Sequence, residues 1–167
     1  IIESGGFAET GPEGKELHDK CLRIAKESGM RLWGPNCMGL INVQQTKVLS
    51  FLLHFMWKDR FKKGRVSLIV QSGMLSAGFL STILTRTPFG LSKIASIGNK
   101  MDLNENDFLE ALANDPNTKV ILMYIESIDD GSRFIEIARE VVKTKPIVVL
   151  KAGVSDAGAR AASSHTG

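Results

Sequence analysis

The residues best suited to chemistry stand where short apolar runs end. Ser72-Gly73-Met74 follows one run, Asn99-Lys100 a second, Glu126 a third and Lys151-Ala152-Gly153 a fourth. Small residues ahead of a helix, one carboxylate and two lysines suit an anion. Ser72-Gly73-Met74 would set backbone N–H groups at a helix N-terminus, where the helix dipole favours phosphate. Gly73 would equally serve if it only permitted a tight turn. His165 sits among small residues, with Ser163, Ser164 and Thr166 beside it and Gly153, Gly158 and Gly167 nearby. A neutral imidazole in such a loop can attack phosphorus, provided a carboxylate or carbonyl fixes its other N–H. Glu126 is the acid expected at the very end of a central strand; as a solvated loop acid it would need no role. His18, on a polar-flanked helix, and His54, in an apolar connection, read as structural or surface residues. Cys37 follows Gly34-Pro35-Asn36, a turn that could expose a thiol, although a small buried hydrophobe is the preferred reading. The pairs Gly5-Gly6 and Gly11-Pro12-Glu13-Gly14 would wrap a cofactor or simply turn the chain.

Those positions are set by an alternation of strands and helices over residues 65–151. Val66-Ser67-Leu68-Ile69-Val70, Ile94-Ala95-Ser96-Ile97, Val120-Ile121-Leu122-Met123-Tyr124-Ile125 and Ile147-Val148-Val149-Leu150 are near-continuous apolar runs. Such runs suit strands buried on both faces of a parallel sheet. Between them, residues 76–85 predict an apolar helix, and Phe108, Leu109 and Leu112 predict a second. Asn104 and Asp107 around the start of that second helix resemble a capping arrangement. Phe134, Ile135, Ile137, Ala138, Val141 and Val142 predict a third, with Asp129 or Asp130 as N-cap. The β-α-β-α-β-α-β order implies right-handed crossovers and an α/β, doubly wound, mainly parallel sheet. Ligands of such sheets bind beyond the carboxyl ends of the strands, where the residues above fall.

The first third reads differently. Ile1-Ile2 reads as a strand tail, residues 14–28 as a helix, and Met30-Arg31-Leu32-Trp33 as a short strand entering the Gly-Pro-Asn-Cys turn. Residues 44–63 show no clean period and read as an inter-domain connection covering apolar surface. The 167 residues carry 21 Lys and Arg against 18 Asp and Glu, a net charge of +3 without a basic stripe, which gives little support to nucleic-acid binding. The longest apolar stretch, residues 48–57, is broken by Ser50 and His54 and falls short of the ~20 residues of a membrane span. Cys21 and Cys37 make no metal-like pair, no metal ligands are expected, and two isolated cysteines fit a reducing, cytoplasmic compartment. The chain opens on Ile1-Ile2 rather than Met and stops at Gly167 without a solvating tail, as an excerpt of a longer protein would.

Taken in series, the motifs resemble one family. Gly34-Pro35-Asn36-Cys37-Met38-Gly39, Gln71-Ser72-Gly73-Met74-Leu75-Ser76, Ile97-Gly98-Asn99-Lys100-Met101-Asp102, Tyr124-Ile125-Glu126 and Lys151-Ala152-Gly153 occur in order. Ala157-Gly158-Ala159-Arg160-Ala161-Ala162-Ser163-Ser164-His165-Thr166-Gly167 completes the set. The sequence resembles the alpha, CoA-binding portion of NDP-forming acyl-CoA synthetases, of the ADP-forming acetate–CoA ligase type related to the succinyl-CoA synthetase alpha subunit.

The resemblance implies that residues 1–45 end a Rossmann-like CoA-binding domain, that 46–63 connect, and that 64–167 begin a flavodoxin-like succinyl-CoA-ligase domain. It makes His165 the phosphorylated histidine and Glu126 the residue that orients it. Ser72, Gly73 and Met74 become the phosphate-receiving helix start. Ser4, Gly5 and Gly6 become the CoA-facing loop, with Asn36 and Cys37 close to the same site. It further implies CoA, ATP or ADP and Mg²⁺ as cofactors, the nucleotide and metal bound mainly outside these residues. Implied partners are a small carboxylic acid or its acyl-CoA, an ATP-grasp domain or beta subunit, and an oligomeric assembly. The CoA phosphate loop would precede Ile1, so the 167 residues alone would not turn over substrate. Two alternatives are a regulatory CoA-binding region of a protein lysine acetyltransferase and a non-catalytic flavodoxin-like binding module; the intact His165 favours the enzyme.

Overall fold

The computed structural model describes residues 5–50, 60–86, 89–155 and 158. Its centre is a six-stranded sheet built from β1 (Gly39–Asn42), β2 (Lys47–Ser50), β3 (Lys63–Val70), β4 (Leu91–Ser96), β5 (Val120–Ile125) and β6 (Ile147–Lys151), in the spatial order β2-β1-β4-β3-β5-β6. The last four strands in sequence run parallel; β1 is antiparallel to both β2 and β4. Among the described residues four α-helices accompany them: α1 (Pro12–Glu27), α2 (Gly73–Arg86), α3 (Glu105–Ala113) and α4 (Gly131–Val141).

Strand alternation sorts the side chains onto two faces. Ile69, Ile121, Met123 and Ile125 meet Leu109 and Leu112 of α3 and Phe134 and Val141 of α4 in one core. Leu68 and Val70 meet Leu80 and Ile83 of α2 in the other, together with Ile41 and Met38 from the hairpin side. Each fully buried branched residue contributes roughly 1.5–3 kcal/mol, so the β3–β5 centre is the most strongly held part of the sheet. A third, smaller cluster packs Ala25 of α1 against Phe7, Leu32 and Met101.

Local signals place the helices as expected. Asn104 accepts from the amides of Asn106 and Asp107, and Asp107 accepts in return from the Asn104 amide, a complete capping box on α3. Asp130 caps α4 through the Arg133 amide. The connection of 46–63 is a different matter: Lys47–Ser50 is a strand, and with β1 it forms a hairpin that extends the sheet beyond β4. The expected strand at 30–33 does not form. The free edge of β4 is taken by β1, so this segment is fixed by loop contacts instead: the Leu32 amide donates to Asp102, and the Trp33 indole to the Ser96 carbonyl. The expected strand tail Ile1-Ile2 and part of the connection, residues 51–59, lie outside the described residues. Among the described residues no helix is long and apolar enough to cross a membrane.

Candidate active site at the carboxyl edge of the sheet

Parallel pairing brings four strand ends to one edge. Val70 is level with Ser96 and with Tyr124, and Tyr124 with Leu150. Ser72-Gly73, Gly98-Asn99-Lys100, Glu126-Ser127 and Lys151-Ala152-Gly153 therefore emerge together.

Ser72 is buried, and its hydroxyl accepts from the Leu75 amide at 3.3 Å, which makes it the N-cap of α2. The amides of Gly73 and Met74 open the helix and so have no acceptor within it. Gly73 is not among the residues with positive φ, and a Cβ there would meet nothing closer than the Met38 amide nitrogen at 3.5 Å. Among the described residues, neither turn geometry nor packing demands a glycine at this position. Its lack of a side chain leaves the start of α2 open with respect to the described residues.

Glu126 is 8% exposed. Its amide donates to Gln71 Oε1 at 2.8 Å, and its carbonyl accepts from Lys151 Nζ at 2.7 Å. The Tyr124 hydroxyl is pushed up from its ordinary pKa by burial and by the adjacent Glu126 carboxylate, with which it hydrogen-bonds. Lys100 donates to Glu105 at 2.9 Å, to Asp129 at 2.8 Å and to the Ser127 carbonyl at 3.1 Å. The other oxygen of Glu105 accepts from the Asp129 amide at 3.0 Å. The loop after β5 is thus gripped by side chains from three neighbouring strand ends.

The Gly-Pro-Asn-Cys loop rests on the end of β4. The amides of Asn99 and Met101 donate to the carbonyls of Pro35 and Gly34, each at 2.9 Å. Gly98 has φ +58°, and a Cβ there would run into the carbonyl oxygens of Pro35 and Asn36. This is a place where only glycine fits. Asn36 Nδ2 donates to Asn99 Oδ1 at 3.2 Å, and Asn99 Nδ2 donates to Glu9 at 2.6 Å. Glu9 in turn accepts from the amides of Gly6 and Phe7. The Gly5-Gly6 turn, Asn36 and the end of β4 are consequently one connected unit. Cys37 is half-buried, and burial pushes its thiol pKa up.

Of the site residues expected from sequence, the structure brings Glu126, Ser72, Gly73 and the Met74 backbone together at this edge. It joins Asn36 to the Gly5-Gly6 turn through Asn99 and Glu9. His165 and Ser4 lie outside the described residues. Among the described residues no group of three or more His, Cys, Asp or Glu could hold a metal ion. Gln71, Glu105, Asp129 and Glu9 carry no site role in the sequence reading, where Gln71 is only part of a motif and Asp129 only a candidate N-cap. For Gln71 a signal was present: a polar residue directly after a doubly buried strand must find partners.

The sequence model of the succinyl-CoA ligase like flavodoxin domain matches residues 63–167. The chain belongs to this family. All of it aligns with the alpha subunit of an ADP-forming acetate–CoA ligase II of Pyrococcus furiosus, at 44% identity over 35% of that protein. It likewise aligns along its whole length with an ADP-forming acetate–CoA ligase I of Archaeoglobus fulgidus, at 42% identity over 24% of that protein. Among solved structures, the dinucleotide-forming acetyl-coenzyme A synthetase 1 of Ca. Korarchaeum cryptofilum, in complex with phosphate and ADP, superposes with a TM-score of 0.87 and 39% identity. That match covers 99% of this chain and 34% of the synthetase. The family member described here thus spans about a third or less of the length of these relatives.

Proposed function

We propose that the chain is part of an ADP-forming acyl-CoA ligase, interconverting acyl-CoA, phosphate and ADP with acid, CoA and ATP through a phosphohistidine at His165. The observation that carries this reading is the buried Glu126, fixed at the strand edge beside the open N-terminus of α2. A carboxylate and a helix start are the two parts a phosphoryl-carrying histidine requires: one to hold its second N–H, one to receive the anion.

In the direction of ATP synthesis, a phosphate oxygen attacks the thioester carbonyl, the C–S bond breaks and CoA leaves as the thiol. The imidazole nitrogen of His165 then attacks phosphorus, and the P–O bond to the acyl group breaks to release the carboxylate. An oxygen of the ADP β-phosphate finally attacks phosphorus and restores the histidine. Glu126 holds the imidazole in the tautomer whose free nitrogen faces phosphorus. The amides of Gly73 and Met74 stabilise negative charge on the migrating group without changing protonation. Met74 contributes by its backbone. Gly5 and Gly6, with Ser4 before them, face CoA, and Asn36 and Cys37 lie between that turn and the phosphate end. The division between a CoA-binding part and the flavodoxin-like part, near residue 45, belongs to this proposal; the hairpin Gly39–Ser50 spans it.

The same reading assigns the nucleotide and Mg²⁺ to an ATP-grasp domain or beta subunit, and describes a cytoplasmic, oligomeric enzyme acting on a small carboxylic acid. The test uses the full-length protein with γ-labelled ATP and Mg²⁺. Acid-labile, base-stable label is expected on the wild type and not on His165→Ala. Glu126→Gln is expected to slow labelling while leaving the fold intact. Equal labelling of His165→Ala and wild type would overturn the assignment.

A further inference from the structure

We infer that Gln71 is a positioning residue that sets Glu126 relative to the phosphate-receiving start of α2; this rests on the function proposed above. Gln71 is 2% exposed, and both its backbone and its side chain are hydrogen-bonded. Its amide donates to the Tyr124 carbonyl at 2.9 Å, and its carbonyl accepts from the Gly98 amide at 3.1 Å. Its side-chain Oε1 accepts from the amides of Glu126 and Ser127, at 2.8 and 3.0 Å. Its Nε2 donates to the Ser127 hydroxyl at 3.0 Å. Two N–H donors converge on one side-chain atom, so that atom must be the oxygen, and the orientation of the amide is fixed by its surroundings.

The geometry explains why a glutamine stands here. β3 ends at Val70 and β5 at Ile125, so the ladder between them stops one residue before the site. From Gln71 onward the backbone must turn into Ser72-Gly73 and α2, and its peptide groups can no longer pair with the chain after β5. The side-chain amide takes their place: it presents a carbonyl and an N–H, as a strand residue would, to the next two residues of the neighbouring strand. One residue therefore begins the phosphate-receiving turn with its backbone and holds the Glu126 backbone with its side chain.

A buried glutamine satisfying two amides would be structural if Glu126 had no task. The distinguishing property is that Gln71 acts through Glu126, which a double-mutant cycle detects. The experiment measures single-turnover phosphorylation of His165 in the full-length enzyme with labelled ATP and Mg²⁺, across a range of ATP concentrations. Gln71→Met keeps the length and removes all three side-chain bonds. It is expected to lower the maximal rate by roughly 10- to 100-fold, as a displacement of about 1 Å does. Half-saturation by ATP should stay within about twofold of wild type, because binding of the nucleotide is untouched. Gln71→Met/Glu126→Gln should be no slower than the slower single variant. Multiplying losses, a wild-type rate, or a loss carried by ATP half-saturation would overturn the inference. If Gln71→Met does not fold, Ser127→Ala removes one of the three side-chain bonds, that from Gln71 Nε2 to the Ser127 hydroxyl, and enters the same cycle, where a non-multiplying loss supports the inference and a multiplying one or an unchanged rate overturns it, at a smaller effect. Labelling that survives His165→Ala would overturn the functional reading together with this inference. Labelling lost in His165→Ala, with multiplying losses in the cycle, would overturn the inference alone.

Discussion

Lys100 offers the sharpest test of how the edge of the sheet is held. Its ammonium is 3% exposed and pairs at 2.9 Å with Glu105, which is 0% exposed, and at 2.8 Å with Asp129, which is 47% exposed. Lys100→Met keeps the aliphatic stem and removes the charge. Asp129 then turns to water. Glu105 cannot: its carboxylate is left buried with the Asp129 amide as its remaining partner in this network. Breaking a buried pair from one side costs about 3–5 kcal/mol, chiefly through the charge left behind. For a domain of this size that corresponds to a fall in melting midpoint on the order of 10 °C. Lys100 has φ +55°, an unfavourable conformation for any residue but glycine, and this term is common to wild type and variant. The loss therefore measures charge and not backbone. Thermal and urea denaturation of the full-length protein reads it directly. Lys100→Met/Glu105→Gln, which removes both charges, is expected to recover more than half of it. A single variant as stable as wild type, or a double variant no more stable than the single, would refute the reasoning.

Gly98→Ala should destabilise by roughly 3 kcal/mol or more in the same denaturation assays, since positive φ and a clash with two backbone carbonyls act together. Gly6→Ala, with φ +93° but none of the described residues within 4 Å of the added carbon, should lose only about 1–2 kcal/mol. At the opposite edge, burial pulls the Asp115 carboxyl up, but Lys93 at 2.6 Å, the Thr118 hydroxyl and the Asn117 amide hold it below the usual range. A depressed carboxyl contributes stability above its unfolded pKa of about 3.9, and this is lost as pH falls through the lower folded value. The stability gap between wild type and Lys93→Met should accordingly be larger at pH 6 than at pH 2; an equal gap at both would exclude the pairing as its source. The raised Cys37 thiol should alkylate more slowly in the native protein at neutral pH than in urea, with a rate that climbs as pH rises.

What could be read in advance follows from the range of the forces involved. The runs ending at Val70, Ile97, Ile125 and Leu150 have the composition of parallel-sheet strands, and all four pair in parallel as expected, through β3, β4, β5 and β6. Asn104 and Asp107 cap α3 across three residues, a signal contained in the local sequence. Gly39–Asn42 and Lys47–Ser50 are four residues each and take their identity from the edge of β4, which no local pattern records. Met30-Arg31-Leu32-Trp33 has strand composition but meets no free edge, so composition misled. The same distinction divides the site. The small residues, Glu126 and the lysines were legible because a parallel sheet delivers its strand ends to one place. Their partners were not: Gln71 reaches Ser127 across 56 residues and Lys100 reaches Asp129 across 29. Such pairings depend on register and rotamer, which the sequence states only through the whole fold.

The chain Glu9–Asn99–Asn36 has a direction. A carboxylate only accepts, so Asn99 must present its amino group to Glu9 and its oxygen to Asn36, which must then donate. Aspartate at position 99 would set carboxylate against carboxylate; aspartate at position 36 would set it against the Asn99 oxygen. Neither exchange, conservative by size, can be accepted alone. Across 90 residues of sequence the three positions behave as a single heritable character. Lineages are expected to keep all three or to replace them together, and a turn at residue 6 is thereby bound in its evolution to a loop at residue 36 that it never touches in sequence.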